Sequence, residues 1–253
     1  MKISVITPTV RKNGIPIIAS SLRKQTFRDF EWLIGCNFNP GELSVPYTLV
    51  LDDFRDGYWS LNRIYNKLFR AASGELIVSW QDWIYANPDG LEKFWTNYEE
   101  TKGVISGVGD QYESTDKFNR PQIKIWSDPR KTNRFGSFYE CYPNDCEWNY
   151  AAIPKAAIMA VGGMDEELDF KGFGGDQLQA CARMDDAGFK FYIDQTNESF
   201  TIRHGREIAG GEDNWNAHHV LFNGEYDKRI AELKKEGRWP DVKYLQQVRQ
   251  QRA

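Results

Sequence analysis

LIVSWQDW, residues 76–83, is the stretch on which the fold turns. Leu76 to Trp80 is a short run of apolar and small residues that follows Gly74 and stops at Gln81 and a single carboxylate, Asp82. A run of this length between turn signals reads as a buried strand rather than a helix. An Asp at the end of a buried strand is poorly solvated, so it must be paired, protonated or bound to a cation. Behind it, Asn87-Pro88-Asp89-Gly90 makes a turn, and a helix is expected from about Asp89 to Tyr98.

The same alternation extends upstream. Ile3 to Thr7 is β-branched and apolar and breaks at Pro8. Ile15 to Thr26 carries the apolar stripe Ile15, Ile18, Leu22 of an amphipathic helix. Glu31 to Cys36 and Tyr47 to Leu51 read as strands. Leu61, Ile64, Tyr65 and Leu68 recur at helical spacing, with Gly74 placed as a left-handed cap. Gly103 to Val108 is a fifth strand. Strands alternating with helices of this length predict an α/β fold: a mainly parallel sheet flanked by helices. Ligands of such sheets bind beyond the carboxyl ends of the strands. That rule puts Thr7-Pro8-Thr9, Asn37, Asp52-Asp53 and Gln81-Asp82 on one rim. No Walker loop and no G-x-G-x-x-G opens a helix, which removes the main support for ordinary NTP-hydrolysing and dinucleotide-binding readings.

From Asp110 to Asn149 the regular pattern gives way to a polar segment, expected to be a functional flap with a short strand at Gln122 to Trp126. Pro154 to Val161 then reads as a helix, Gly162-Gly163 as a turn, Asp176 to Ala187 as a helix and Phe189 to Ile193 as a strand. Tyr226 to Glu236 and Val242 to Gln250 read as two amphipathic helices of a C-terminal extension, either a capping hairpin or a contact surface. The expected organisation is a nucleotide-binding half over 1–110, an acceptor-side half of the same domain over 111–210, and the helical extension over 211–253.

With 253 residues, 41% of them hydrophobic, the chain is long enough for one large core. A formal net charge of −4 argues against a dedicated nucleic-acid binder, though not against a local basic groove. Nothing approaches the roughly 18 apolar residues of a membrane helix. MKISVITPTV lacks a small-residue cleavage site and reads as a first strand, not a signal peptide. The expected location is the cytoplasm, with Cys36, Cys141, Cys146 and Cys181 as free thiols. Cys141 and Cys146 are one close pair without a second, weak support for zinc.

The order SVITPT, a helix, FEWLIGCN, and then YNKLFRAASGELIVSWQDWIYANPDGLEKF resembles the family-2 glycosyltransferases of the GT-A fold. VGGMDEELDFKGFGGDQLQACAR is similar to the acceptor-side block of the same family, and the likeness is collinear over residues 2–205. The resemblance implies a GT-A, Rossmann-like sheet and transfer of a hexose from a nucleotide-diphosphate sugar, with a UDP-sugar favoured, to an acceptor hydroxyl. It implies that Thr7, Pro8 and Thr9 approach the nucleotide, that Asn37 stands where an aspartate usually reads the uracil, and that Asn66 is the asparagine of an Arg-Asn pair whose arginine is here Tyr65. Gln81-Asp82-Trp83 occupies the Asp-x-Asp metal motif, Asp176 and Gln177 its acidic pair, and His204 the place of a late metal ligand. Asp165 and Gly175 match acceptor-side positions, and Asp53 belongs with the nucleotide set. This chain departs from the pattern by keeping one carboxylate of the metal motif and one of the acidic pair. GGDQLQ also looks like GGENLE of the polypeptide N-acetylgalactosaminyltransferases, which retain configuration, so the stereochemical outcome stays open.

The chemistry asks for two things in any case. Charge growing on a leaving diphosphate must be offset by a metal or by cationic and dipolar groups. The acceptor hydroxyl must lose its proton to a positioned base. Asp82 with His204 can hold Mn2+ or Mg2+, and Arg11, Arg203 or Arg206 can assist. Asp176 opens a helix whose dipole keeps it ionised, which suits a base. Trp83 and Trp148 can stack on a sugar ring, or can pack in the core. The acceptor class is open among glycan, lipid-linked sugar, protein and modified nucleobase. Rival readings are a catalytically inactive nucleotide-sugar-binding module and, ranked last, a nucleotidyltransferase.

Overall fold

A computed structural model of the chain describes residues 1–52, 61–116, 120–132, 136–166, 169, 176–203, 231 and 235. The C-terminal extension read over 211–253 therefore lies outside the described residues, apart from two single positions. The strands are β1 (Ile3–Pro8), β2 (Phe30–Cys36), β3 (Thr48–Leu51), β4 (Leu76–Trp80), β5 (Ile84–Ala86), β6 (Val104–Thr115), β7 (Pro121–Trp126), β8 (Phe138–Glu140), β9 (Tyr150–Pro154) and β10 (Phe191–Ile202). The helices are α1 (Ile15–Arg23), α2 (Leu61–Ala71), α3 (Gly90–Thr101), α4 (Lys155–Ala160) and α5 (Asp176–Asp186). One sheet runs in the order β3-β2-β1-β4-β9-β6-β10-β5, with β7 on β6 and β8 on β10.

The α/β class follows from the alternation, and the run β3-β2-β1-β4 is parallel throughout. Beyond β4 the sheet is mixed, because β9 enters antiparallel between β4 and β6. Every residue of β1 and β4 is buried, as expected of strands covered on both faces. Ile3, Val5, Trp32 and Val78 face α1 and α3 in one core, with Ile15, Ile18, Leu22 and Phe94. Ile6, Leu33 and Ile77 face α2, α4 and α5 in the other, with Ile64, Leu68, Ile158 and Met184. Each such side chain contributes about 1.5–3 kcal/mol on burial.

Local chemistry sets the helix ends. Pro16 sits in the first turn of α1, where its missing N–H costs nothing. The Asp169 carboxylate accepts the Asn62 and Arg63 backbone N–H groups at 2.8 and 2.6 Å, closing the start of α2. Gly74 is not the left-handed cap expected from the sequence; a Cβ there would lie 2.5 Å from the Ser4 backbone nitrogen, so close approach to β1 demands it. The segment after Asp110 is also more regular than expected. β6 continues to Thr115 and turns back as β7, and the buried Asp110 and Asp128 pin the hairpin to Lys124, Lys131 and Arg130.

Candidate active site

β1 and β4 are parallel neighbours with Ile6 opposite Ser79. Thr9 and Asp82 each lie three residues further on, so the two chains deliver them to the same point above the strand ends. Asp82 is buried, its side chain 1% exposed. The Thr9 hydroxyl and Arg11 Nη2 both donate to it, and Arg11 Nε donates to Oδ2 at 2.9 Å. The Thr9 hydroxyl also accepts the Arg11 backbone N–H at 2.8 Å, which bends the loop so that the guanidinium folds onto the carboxylate. The lone charge at the end of β4 is thus paired two-pronged with an arginine.

Trp83 then takes φ +65°, turning the chain into β5. Its indole lies against Gly14, where a Cβ would come within 2.7 Å of Trp83 Cδ1 and 2.8 Å of Asp82 Cβ. Gly14→Ala is therefore expected to push the Asp82–Trp83 corner aside and cost about 1–3 kcal/mol. Thermal unfolding of that variant checks the packing.

The rest of the rim is assembled by α2. Asp52, 2% exposed and just past β3, accepts from Arg63 Nε at 2.9 Å and Lys67 Nζ at 2.6 Å. Tyr65 shares a hydrogen bond with Ser79 at 2.8 Å and accepts one from Gln81 Nε2 at 3.5 Å, so it braces the end of β4. Asn66 spends its amide on the 162–166 turn: Nδ2 donates to Met164 O at 3.0 Å and Glu166 Oε1 at 2.8 Å, and Oδ1 accepts Met164 N–H at 2.7 Å. Gly163, with φ +80°, sits where a side chain would strike that amide. Asp165 accepts from Gln179 at 3.1 Å and lines an open concavity of about 360 Å3 with Val161, Met164, Glu166 and Arg183.

α5 is fastened at its first turn. Gln177 Nε2 donates to Cys146 O at 3.1 Å and Oε1 accepts Trp148 N–H at 3.2 Å. Gln177 is a clamp, and it fixes the turn that begins with Asp176.

Several sequence expectations change against this geometry. Thr7 is fully buried beneath the rim, its hydroxyl donating to Trp80 O and accepting from the Trp32 indole. Pro8 closes β1 and is buried as well. The Asn66 amide is engaged with the 162–166 turn at both its nitrogen and its oxygen. Trp148 is fully buried against Tyr65 and Phe69, so it is a core residue and offers no face to a sugar. Thr9, Arg11, Gln81 and Asp82 do come together, and Asn37 is exposed just past β2. Asp53, Gly175 and His204 lie outside the described residues, and Asp176 is described only as the first residue of α5. Sequence reasoning missed Arg63 and Lys67; their i, i+4 spacing on α2 one strand-end from Asp52 was the available signal.

The described residues do not fit a divalent cation in the manner of the metal motif. Both Asp82 oxygens already receive donors from Arg11, and Thr9 adds a third. Among the described residues no group of three or more His, Cys, Asp or Glu can hold a metal ion. Cys141 and Cys146 are free thiols with sulfurs 3.7 Å apart. The Cys141 neighbour and burial push the Cys146 thiol up. No helix among the described residues is long and apolar enough to cross a membrane.

No protein-family model matches the sequence, and no curated protein matches it at a significant level. Solved structures do. TarS of S. aureus superimposes with a TM-score of 0.60 at 14% identity, over 80% of this chain and 37% of TarS. The 1-349 piece of S. aureus TarS in complex with UDP-GlcNAc gives 0.59 at 15% identity, over 89% and 66%. GalNAc-T7 with UDP, GalNAc and Mn2+ gives 0.59 at 10% identity, over 86% and 47%. This chain thus spans from about a third to two thirds of the lengths of these proteins. The neighbours are glycosyltransferases of one architecture, a mixed α/β sheet flanked by helices like the one described here. The chain has the GT-A glycosyltransferase fold.

Proposed function

We propose that the chain transfers a hexose from a UDP-sugar to a hydroxyl acceptor, acting in the cytoplasm. One observation carries the reading: Thr9, Arg11 and Asp82 converge past the ends of β1 and β4, in a fold whose solved neighbours were captured with UDP or UDP-GlcNAc. In this reading the diphosphate lies at that corner. Asn37, exposed past β2, faces the base edge. The guanidinium of Arg11, held at that corner by Asp82, offsets negative charge as it grows on the leaving phosphates. Asp176, first residue of an eleven-residue helix, takes the acceptor proton if the reaction inverts. The Gln177 clamp holds its turn in place. The concavity beside Asp165 is the proposed acceptor side, open enough for a glycan, lipid-linked sugar, protein segment or modified nucleobase.

A thermal-shift panel of nucleotide sugars on the full chain tests the donor. UDP-sugars are expected to raise the melting temperature by mass action, and no shift with any of them contradicts the assignment. Asp176→Asn is expected to keep the donor-induced shift and lower turnover by roughly 100- to 10,000-fold, the usual worth of a positioned base. Wild-type turnover in that variant removes Asp176 from the mechanism.

A further inference from the structure

We infer that Cys141 and Cys146 are a reversible oxidation site, closed to a disulfide by a hydroperoxide. The inference is independent of the donor reading and goes beyond it. Both thiols are free, with their sulfurs 3.7 Å apart. A disulfide holds its sulfurs about 2.05 Å apart, so closure asks for an approach of under about 2 Å, within the reach of side-chain rotation. The backbone is steady on both sides. Cys141 follows β8 and donates its N–H to Phe191 O at 2.8 Å, and Cys146 ends the short 3-10 turn Pro143–Asp145 and donates to Pro143 O at 3.3 Å. Closure gives up the contact of Cys146 Sγ with Tyr192 O at 3.7 Å, a weak one for a thiol donor.

The pair is unequal in the way a two-step oxidation requires. Cys146 is fully buried, whereas Cys141 is half-buried and sits beside Tyr142, which is 80% exposed. Cys36 and Cys181 are fully buried. A peroxide therefore meets Cys141 first. The Cys141 sulfur attacks a peroxide oxygen, the O–O bond breaks, and the leaving alkoxide takes the thiol proton. Cys141 is then a sulfenic acid, which a neighbouring thiol condenses to a disulfide. The Cys146 sulfur attacks it, the S–O bond breaks, and the departing hydroxide leaves with the Cys146 proton as water. The two thiols lose two electrons in all, and the peroxide gains them. The bond has a structural consequence. Cys146 O accepts from Gln177 Nε2 at 3.1 Å, one of the two anchors at the first turn of α5. Closing the ring around Pro143–Asp145 takes freedom from that anchor, so oxidation tightens the start of α5.

Peroxide treatment of the reduced full chain tests this, with alkylation of the remaining thiols and digestion by trypsin. Residues 135–155 are released as one peptide that holds both cysteines. After peroxide that peptide is expected to be unalkylated and lighter by two hydrogens, and dithiothreitol is expected to restore both thiols. Cys146→Ala is expected to stop at the sulfenic acid, captured on Cys141 by dimedone at least about tenfold more than in the wild type. Cys141→Ser is expected to leave Cys146 reduced. Hydrogen exchange at the first-turn amides of α5 is expected to slow in the oxidised wild type. A wild-type peptide that keeps both thiols, or that is joined to another peptide, overturns the pairing whether or not Cys146→Ala folds. Oxidation of Cys146 to the wild-type extent in Cys141→Ser overturns Cys141 as the point of entry. Exchange at α5 that is unchanged or faster overturns the tie through Gln177. Each of these results leaves the donor reading untouched.

Discussion

Trp148→Ala is expected to lower stability by about 3–5 kcal/mol, the range for truncating a fully buried large aromatic. The indole is 0% exposed and meets Tyr65 and Phe69 edge-on, with ring centroids 5.9 and 6.3 Å away. Both partners belong to α2, and Tyr65 also braces Ser79 at the end of β4, so the void would open beneath the candidate site. The backbone of Trp148 is one of the two anchors of Gln177 at the start of α5. Loss of the side chain should therefore loosen the turn that begins with Asp176 as well as the core. Denaturant unfolding reads the stability change, and Trp148→Phe, which keeps a ring in the cluster, should fall well short of it. Were Trp148 instead a sugar-stacking residue at a surface, alanine would cost little stability, and near-wild-type unfolding would contradict its place in the core.

A comparable loss, about 3–5 kcal/mol, is expected for Arg130→Met, because it strands a buried charge. Asp128 is 1% exposed and accepts from Arg130 Nη2 at 2.5 Å, from Arg130 Nε at 2.9 Å and from Gly109 N–H at 3.0 Å. Arg130 also donates to Ser106 at 3.0 Å and Asp145 O at 3.1 Å, so it ties β6 to the approach to Trp148. Burial pushes the Asp128 carboxyl up, but the hydrogen bonds and charge of Arg130 and the backbone N–H groups outweigh it and hold the group below the usual carboxylate range. Its folded value thus lies below its unfolded value of about 3.9. The stabilisation is fully present above about pH 4 and is lost as pH falls through the folded value. In Arg130→Met only burial and weaker bonds remain, so the carboxyl rises and its cost fades in acid. The gap between wild type and variant should begin to narrow as pH falls through the variant's raised value, above about 4, and narrow further below it, and Asp128→Leu added to Arg130→Met should recover most of the loss at neutral pH. A gap that stays constant with pH would mean that Asp128 is not the stranded charge.

The first half of the chain was legible because its central strands β1 and β4 are buried on both faces and its helices carry plain apolar stripes. β1, β2, β3 and β4 with α1, α2 and α3 fall within a few residues of their expected places. β9 was not legible, because YAAIP pairs antiparallel between β4 and β6 and its small residues carry little strand signal. β5 is only three residues long and follows a tryptophan at positive φ, which no local propensity predicts. β10 runs well past Ile193 because polar residues inside it are satisfied at a distance: Asp194 accepts from Asn97 at 2.7 Å, and Asn197 bonds Gly90 O and the Tyr150 hydroxyl. Asp82 was legible as a carboxylate in need of a partner because a buried strand ended on it. Its partner was a matter of register, since only the β1–β4 pairing reveals that Arg11, seventy-one residues away, reaches it.

The account stands on a donor diphosphate lying at the Thr9–Arg11–Asp82 corner. A crystal of the full chain soaked with UDP-GlcNAc tests that claim most directly. It should place diphosphate oxygens within about 3 Å of the Arg11 guanidinium or the Thr9 loop, at hydrogen-bond range. Density for the nucleotide in the concavity beside Asp165, or an unaltered corner at saturating ligand, would contradict it.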